Sequence, residues 1–210
     1  MKKIFLFVPG LAILSLVFVG CTKDPVASLT TDESRIYITD HDSSINFSNF
    51  KTYSISDSVA VIDNGQSSRE MNDIDQAYIT AVKKYMDQNG FVLTAKNNNP
   101  DVGVDVSRII STNTGVISYG DYWNSYGGYW DPYYWGYPGY DYYVPYAYSV
   151  YQIKEGAISV DMLDLKDAAD NNKINVIWTG LIRGAGIFNA NVADTQIKAL
   201  FDQSTYLKTN

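Results

Sequence analysis

The chain has 210 residues, 46% of them hydrophobic, a net charge of −7 and one cysteine. That length suits one buried core, and the acidic balance without any basic patch excludes recognition of nucleic acid or anionic headgroups by charge. A single cysteine excludes an internal disulfide and a zinc thiolate centre, so packing must supply the stability.

Lys2 and Lys3 precede an apolar run from Ile4 to Val19, interrupted by Pro9, Gly10 and Ser15, and Gly20 and Cys21 close it. This is the pattern of a secretory signal, residues 1–20, and the run is too short for a bilayer span. FVGC at 18–21 resembles the bacterial lipobox, with Phe18 where leucine is usual. The resemblance implies cleavage before Cys21 and acylation of that residue. Several acyl chains anchor a protein stably to a membrane. Thr22 stands where an aspartate would resemble an inner-membrane retention signal, so the outer membrane is expected, on its periplasmic side, with the cell surface as the other possibility. Residues 21–34 are polar and read as lipidated cysteine and flexible tether.

A single domain is expected over 35–210. Arg35 to Thr39 alternates as a short strand, and DHDSS at 40–44 reads as a polar, solvated turn. Phe47 to Ile55 is rich in aromatic and β-branched residues and predicts a strand. From Met71 the period changes. Asn72 or Asp73 can cap a helix whose stripe is Ile74, Ala77, Tyr78, Ala81, Val82, Tyr85 and Met86, stopped by Asn89 and Gly90. Val102, Val104 and Val106 alternate with Gly103 and Asp105 as a half-buried strand. After a tyrosine-rich insertion at 112–152, Ala157 to Leu165 and Ile174 to Ile182 form a β-hairpin, and Asn191 to Gln203 a last helix. The order β-α-β-(insertion)-β-β-α predicts an α+β fold of two layers: a mostly antiparallel or mixed sheet with two helices packed on one face.

The ordered series FSNFKTYSI, IDQAYITAVKKYMDQNGF, PDVGVDV, GAISVDMLDL and IWTG, spread over about residues 45–203, resembles the bacterial lipoproteins known as the domain of unknown function 4136 family. Asn46 stands where Asp is usual there, and Phe50 where Tyr is usual. The resemblance implies this fold order and a lipoprotein address. It implies no activity, because the family has none assigned.

Residues 119–151 hold thirteen of the chain's eighteen tyrosines. Pro132, Pro138 and Pro145 with Gly127, Gly128, Gly136 and Gly139 rule out one regular element. Long loops in compact domains are uncommon and are usually functional or disordered. Three readings stand: an amphipathic lid on an open sheet face, an adaptable protein-contact surface, or a sugar ledge in which ring faces stack and Asp121, Asp131 and Asp141 bond hydroxyls. The candidate surface comprises Tyr119, Tyr122, Trp123, Tyr126, Tyr129, Trp130, Tyr133, Tyr134, Trp135, Tyr137 and Tyr140 with those three acids.

No catalytic constellation is legible. His41, the only histidine, has no nucleophile elbow to serve, and Asp40 and Asp42 lack the other ligands of a calcium loop. RGAG at 183–186 lacks the ending of a phosphate loop. Glycoside hydrolysis needs two carboxylates; Asp161 and Asp164, three apart on a strand, point to opposite faces, which leaves Glu155 or Asp105 to pair with an acid of the tract. The expectation is a non-catalytic outer-membrane lipoprotein without cofactor or metal, whose aromatic surface meets a protein of the envelope; the alternative is a glycan-binding or, less favoured, glycan-hydrolysing lipoprotein.

Overall fold

A computed structural model describes residues 30–63, 66–111, 116–118, 132–145, 150–152 and 156–209. In chain order its elements are β1 (Ile36–His41), β2 (Thr52–Ile55), β3 (Val59–Asp63), β4 (Gln66–Glu70), α1 (Asp73–Gln88), β5 (Val92–Leu93), β6 (Val102–Ser111), β7 (Val116–Ser118), β8 (Asp141–Tyr143), β9 (Val150–Gln152), β10 (Ala157–Asp164), the short α2 (Ala168–Asn171), β11 (Lys173–Arg183) and α3 (Ala190–Gln203).

Among the described residues, nine strands make one mixed sheet. Its main path is β1-β11-β10-β6-β2-β5; β3 also pairs with β6 and carries β4, and β8 pairs with β11. The antiparallel hairpin β10–β11 and its neighbour β6 form the centre, whereas β2, β3 and β8 join in parallel. Strands β7 and β9 form a separate two-stranded ribbon.

Strand alternation sends Val102, Val104, Val106, Ile158, Val160, Met162 and Trp178 to one face, where they meet Tyr78, Val82 and Met86 of α1 and Ile197 and Leu200 of α3 in one core. Burying each large apolar side chain stabilises by roughly 1.5–3 kcal/mol. The predicted helical stripe of α1 lies there, joined by Ile79. Asn72 caps α1 and forms a capping box with Asp75, which satisfies donors that a helix start leaves open. The Tyr78 hydroxyl ties α1 to α3 by donating to Gln196 Oε1. Both helices cover this one face, as the expected two-layer α+β fold requires.

Three local readings are corrected. Phe47–Asn49 is a 3-10 turn, with the Asn46 side chain accepting from Ser48 N–H; such side-chain bonds compete with a strand ladder, and the strand starts only at Thr52. His41 is no solvated turn residue. It ends β1 opposite Trp178 and stacks on Tyr206 with ring centroids 4.0 Å apart. Finally, β3 and β4 add a hairpin that was not expected, although Asn64-Gly65 between them is a strong hairpin signal.

The start of the domain is fastened rather than loose from Thr30 on. Arg35 pairs with Asp32 at 2.7 Å and donates from Nε to the carbonyl of Ala185 at 3.2 Å. Gly184, at φ +126°, leaves room for the carbonyl of Ser34, which a Cβ would approach to 2.8 Å.

Candidate functional site

The face of the sheet opposite the helices is also covered. Residues 132–145 of the tyrosine tract lie over it as a strap, and Trp135 is buried in a second core with Ile62, Ile109, Ala157, Leu163, Leu165, Ile174, Val176 and Leu181. Trp135 rests on Gly103, where a Cβ would come within 3.1 Å of the indole and of Leu165. The absence of a side chain at Gly103 admits the ring. Tyr134, Tyr137 and Tyr142 pack around it, half-buried.

Polar tips hold the strap on either side of Trp135. The Tyr137 hydroxyl donates to the carbonyl of Leu165 at 2.7 Å, and the Tyr134 hydroxyl accepts from Asp57 N–H at 3.1 Å. The Lys96 ammonium lies 3.7 Å from the centre of the Tyr134 ring, and the Arg69 guanidinium lies 5.2 Å from it. Burial pushes the Tyr134 hydroxyl up to about 12. Beyond Pro138 and Gly139 the strap becomes β8, which runs parallel to the start of β11, with Lys173 opposite Asp141.

Under the strap lies a row of polar side chains set by strand register. Asp105 on β6 stands directly opposite Asp161 on β10, and Asp161 opposite Thr179 on β11. Side chains at directly opposed antiparallel positions start only about 4.5–5.5 Å apart at Cβ. Asp161 accepts hydrogen bonds from the hydroxyls of Ser159 at 2.7 Å and Thr179 at 2.8 Å. Neither oxygen of Asp105, nor Trp135 Nε1, has a hydrogen-bond partner among the described residues. Asp105 is 0% exposed and Asp161 1%. Burial, and then the charge of Asp161, hold the Asp105 carboxyl well above the usual carboxylate range; the Trp135 indole and the Arg69 charge pull the other way without compensating.

Of the expected surface residues, Tyr134, Trp135 and Tyr137 thus belong to the sheet side, while Tyr133 is 72% exposed. The rings of Tyr137 and Tyr140 lie 5.4 Å apart, and Asp141 is exposed at the start of β8. Tyr119, Asp121, Tyr122, Trp123, Tyr126, Tyr129, Trp130 and Asp131 lie outside the described residues, as do the signal segment and Cys21. Asp105 meets Asp161 on the neighbouring strand; Asp121 and Asp131 of the tract, and Glu155, lie outside the described residues. The signal was present as the repeat of a small residue two positions before an acid, Gly103 before Asp105 and Ser159 before Asp161, on two strands of the same hairpin-like pairing. Among the described residues no three His, Cys, Asp or Glu side chains are grouped to hold a metal ion, and no helix is long and apolar enough to cross a membrane.

The family described as Domain of unknown function (DUF4136) matches residues 38–204. The chain belongs to the DUF4136 family. A crystal structure of a DUF4136 family protein from Bacteroides thetaiotaomicron is similar at 26% identity and a TM-score of 0.69, over 85% of this chain and all of that one. A PDZ domain protein from Parabacteroides distasonis is similar at 11% identity and a TM-score of 0.42, over 83% of this chain and 37% of that one. No curated protein matches. The DUF4136 region thus begins within β1 and ends just after α3, with the strap inside it.

Proposed function

We propose that this DUF4136 protein is a non-catalytic lipoprotein, anchored in the outer membrane through Cys21 on the periplasmic side, that offers the outer surface of its aromatic strap to a protein of the cell envelope. The observation that carries the reading is the division of the strap. Trp135 and its half-buried neighbours fix it to the sheet, while Tyr133 and Tyr143, at 72% and 49% exposure, turn their rings outward from a fixed backbone. Rigid, amphipathic aromatic residues give contact area at low entropic cost. The anchor rests on the signal pattern and on the cysteine that follows it.

A non-catalytic role is supported by the burial of the facing acids. A glycosidase needs its two carboxyls open to a sugar and a water, and Asp105 and Asp161 are closed off by the strap. Exposed Asp141 beside Tyr143 keeps glycan binding as a second reading, since a carboxylate next to a half-exposed ring, here with the Lys173 ammonium 3.9 Å from its centre, can bond sugar hydroxyls.

Two experiments test the proposal. Cys21→Ser should move the protein from the membrane pellet to the soluble fraction; retention in the pellet sinks the anchor. The protein and its Tyr133→Ala/Tyr143→Ala variant should be co-sedimented with peptidoglycan sacculi and cross-linked in membranes. Loss of a defined protein cross-link in the variant supports the protein contact, whereas ring-dependent sedimentation with sacculi replaces it with the glycan reading.

A further inference from the structure

Asp105 presents an unusual combination. Its side chain is wholly buried on the strap side of the sheet, and neither carboxylate oxygen has a hydrogen-bond partner among the described residues. The acid directly opposite, Asp161, is already committed as an acceptor to the hydroxyls of Ser159 and Thr179. The Trp135 indole and the Arg69 charge favour the ionised form but do not offset burial, so an ionised carboxylate in such a place is costly, and the usual escape is to take up a proton. Two carboxyls set this close also disfavour ionising together.

Among the described residues, the groups around the pair come from several elements. Beside Asp161 on β10 stand Arg69 of β4, whose positive charge favours ionisation of Asp105, and Tyr134 of the strap, which carries Lys96 against its ring and accepts from Asp57 N–H. Asp40 of β1 continues the row beyond Thr179. The Arg69 charge acts on Asp105 more weakly than burial and Asp161 together. Trp135 closes the site from above.

We infer that Asp105 is a proton-binding site that latches the strap: with a proton on its carboxyl the strap closes on the sheet, and release of that proton to solvent loosens it. Ionisation would set a second negative charge against Asp161 beneath Trp135, and the readiest relief is to lift the strap and admit water. The helix-side core is untouched by this motion, because Val104 and Val106 face the other way. The latch is independent of what the strap's outer surface binds.

The folded-state pKa is raised, so the stability it brings is whole below the unfolded carboxyl value of about 3.9 and declines as pH rises through the folded value. The first test is infrared spectroscopy of the protein at neutral pH. A buried neutral carboxylic acid should show its carbonyl stretch, and that band should be missing in Asp105→Asn; no such band in the wild type overturns the proposal. The second is hydrogen exchange of residues 132–145, corrected for intrinsic rates, from about pH 5 to about pH 9. Wild-type protection of the strap should fall at least several-fold with rising pH relative to α1, and Asp105→Asn, which keeps the shape without the charge, should remove that dependence. Equal pH profiles for the two proteins, or loss of protection spread evenly over strap and helices, would overturn the latch. If Asp105→Asn does not fold, the wild-type infrared band and the strap-to-helix comparison still decide the matter.

Discussion

The indole of Trp178 lies over Gly180, two residues along the same face of β11. A Cβ at Gly180 would stand 2.6 Å from the ring and 2.7 Å from Leu200 of α3. The ring is held from its other end, since Trp178 Nε1 donates to Ser204 Oγ at 2.9 Å. The W-x-G spacing in IWTG is therefore one packing unit: a large ring and the vacancy it fills.

Gly180→Ala should accordingly destabilise the fold by about 1–3 kcal/mol, the usual cost of inserting a methyl group into a filled core. Urea unfolding of the variant checks this. A midpoint equal to that of the wild type would mean that the indole moves aside freely.

Arg108 is the second point of vulnerability. From β6 it reaches Asp75 in the first turn of α1 at 3.0 Å and Glu70 of β4 at 2.7 Å, and Asp75 is 1% exposed. Arg108→Met should cost about 3–5 kcal/mol, because it leaves the buried Asp75 carboxylate without its cation. Adding Asp75→Asn should return a large part of that loss. Denaturation of the two single variants and the double variant measures the coupling, and simple additivity would contradict it.

Tyr134 gives an alkaline prediction. Its hydroxyl sits at about 12 in the fold against about 10 for a free tyrosine. The neutral form is favoured by folding, so its contribution is intact below about pH 10 and is lost as pH rises towards the folded value. Between these limits the wild type should lose stability more steeply than Tyr134→Phe, as read from urea midpoints at several alkaline pH values.

The chain end should also matter. Leu207 is fully buried, Thr209 N–H donates to the carbonyl of Asn89, and Lys51 Nζ donates to the carbonyl of Thr209. Ending the chain at Ser204 should lower stability by roughly 1.5–3 kcal/mol from the lost leucine alone, measurable as a fall in Tm.

The helix side of the sheet was legible in the sequence because each of its elements carries its own period. Val102, Val104 and Val106 announced one face of β6, and the α1 stripe its counterpart. The strap side was not. Gly103, Asp105, Ser159 and Asp161 read as positions facing water, and they are buried because a distant segment folds over them. No local pattern reports such a covering. The same holds for Asp161, whose partner is fixed by register with β6 and not by its neighbours in sequence. The lid reading placed tyrosines over a sheet face; that Trp135 is the buried member, and that acids lie beneath it, required the topology.

The clamp of Arg35 on the Ala185–Gly186 loop sets a length scale. Nine peptide links separate Cys21 from Thr30 in the sequence, and nine links even at full stretch span about 30 Å. Were Cys21 the lipid anchor proposed above, the end of the domain that carries this loop would stay within about that distance of the bilayer. Its search for a partner would be a lateral one, confined to whatever travels in or close against the same membrane.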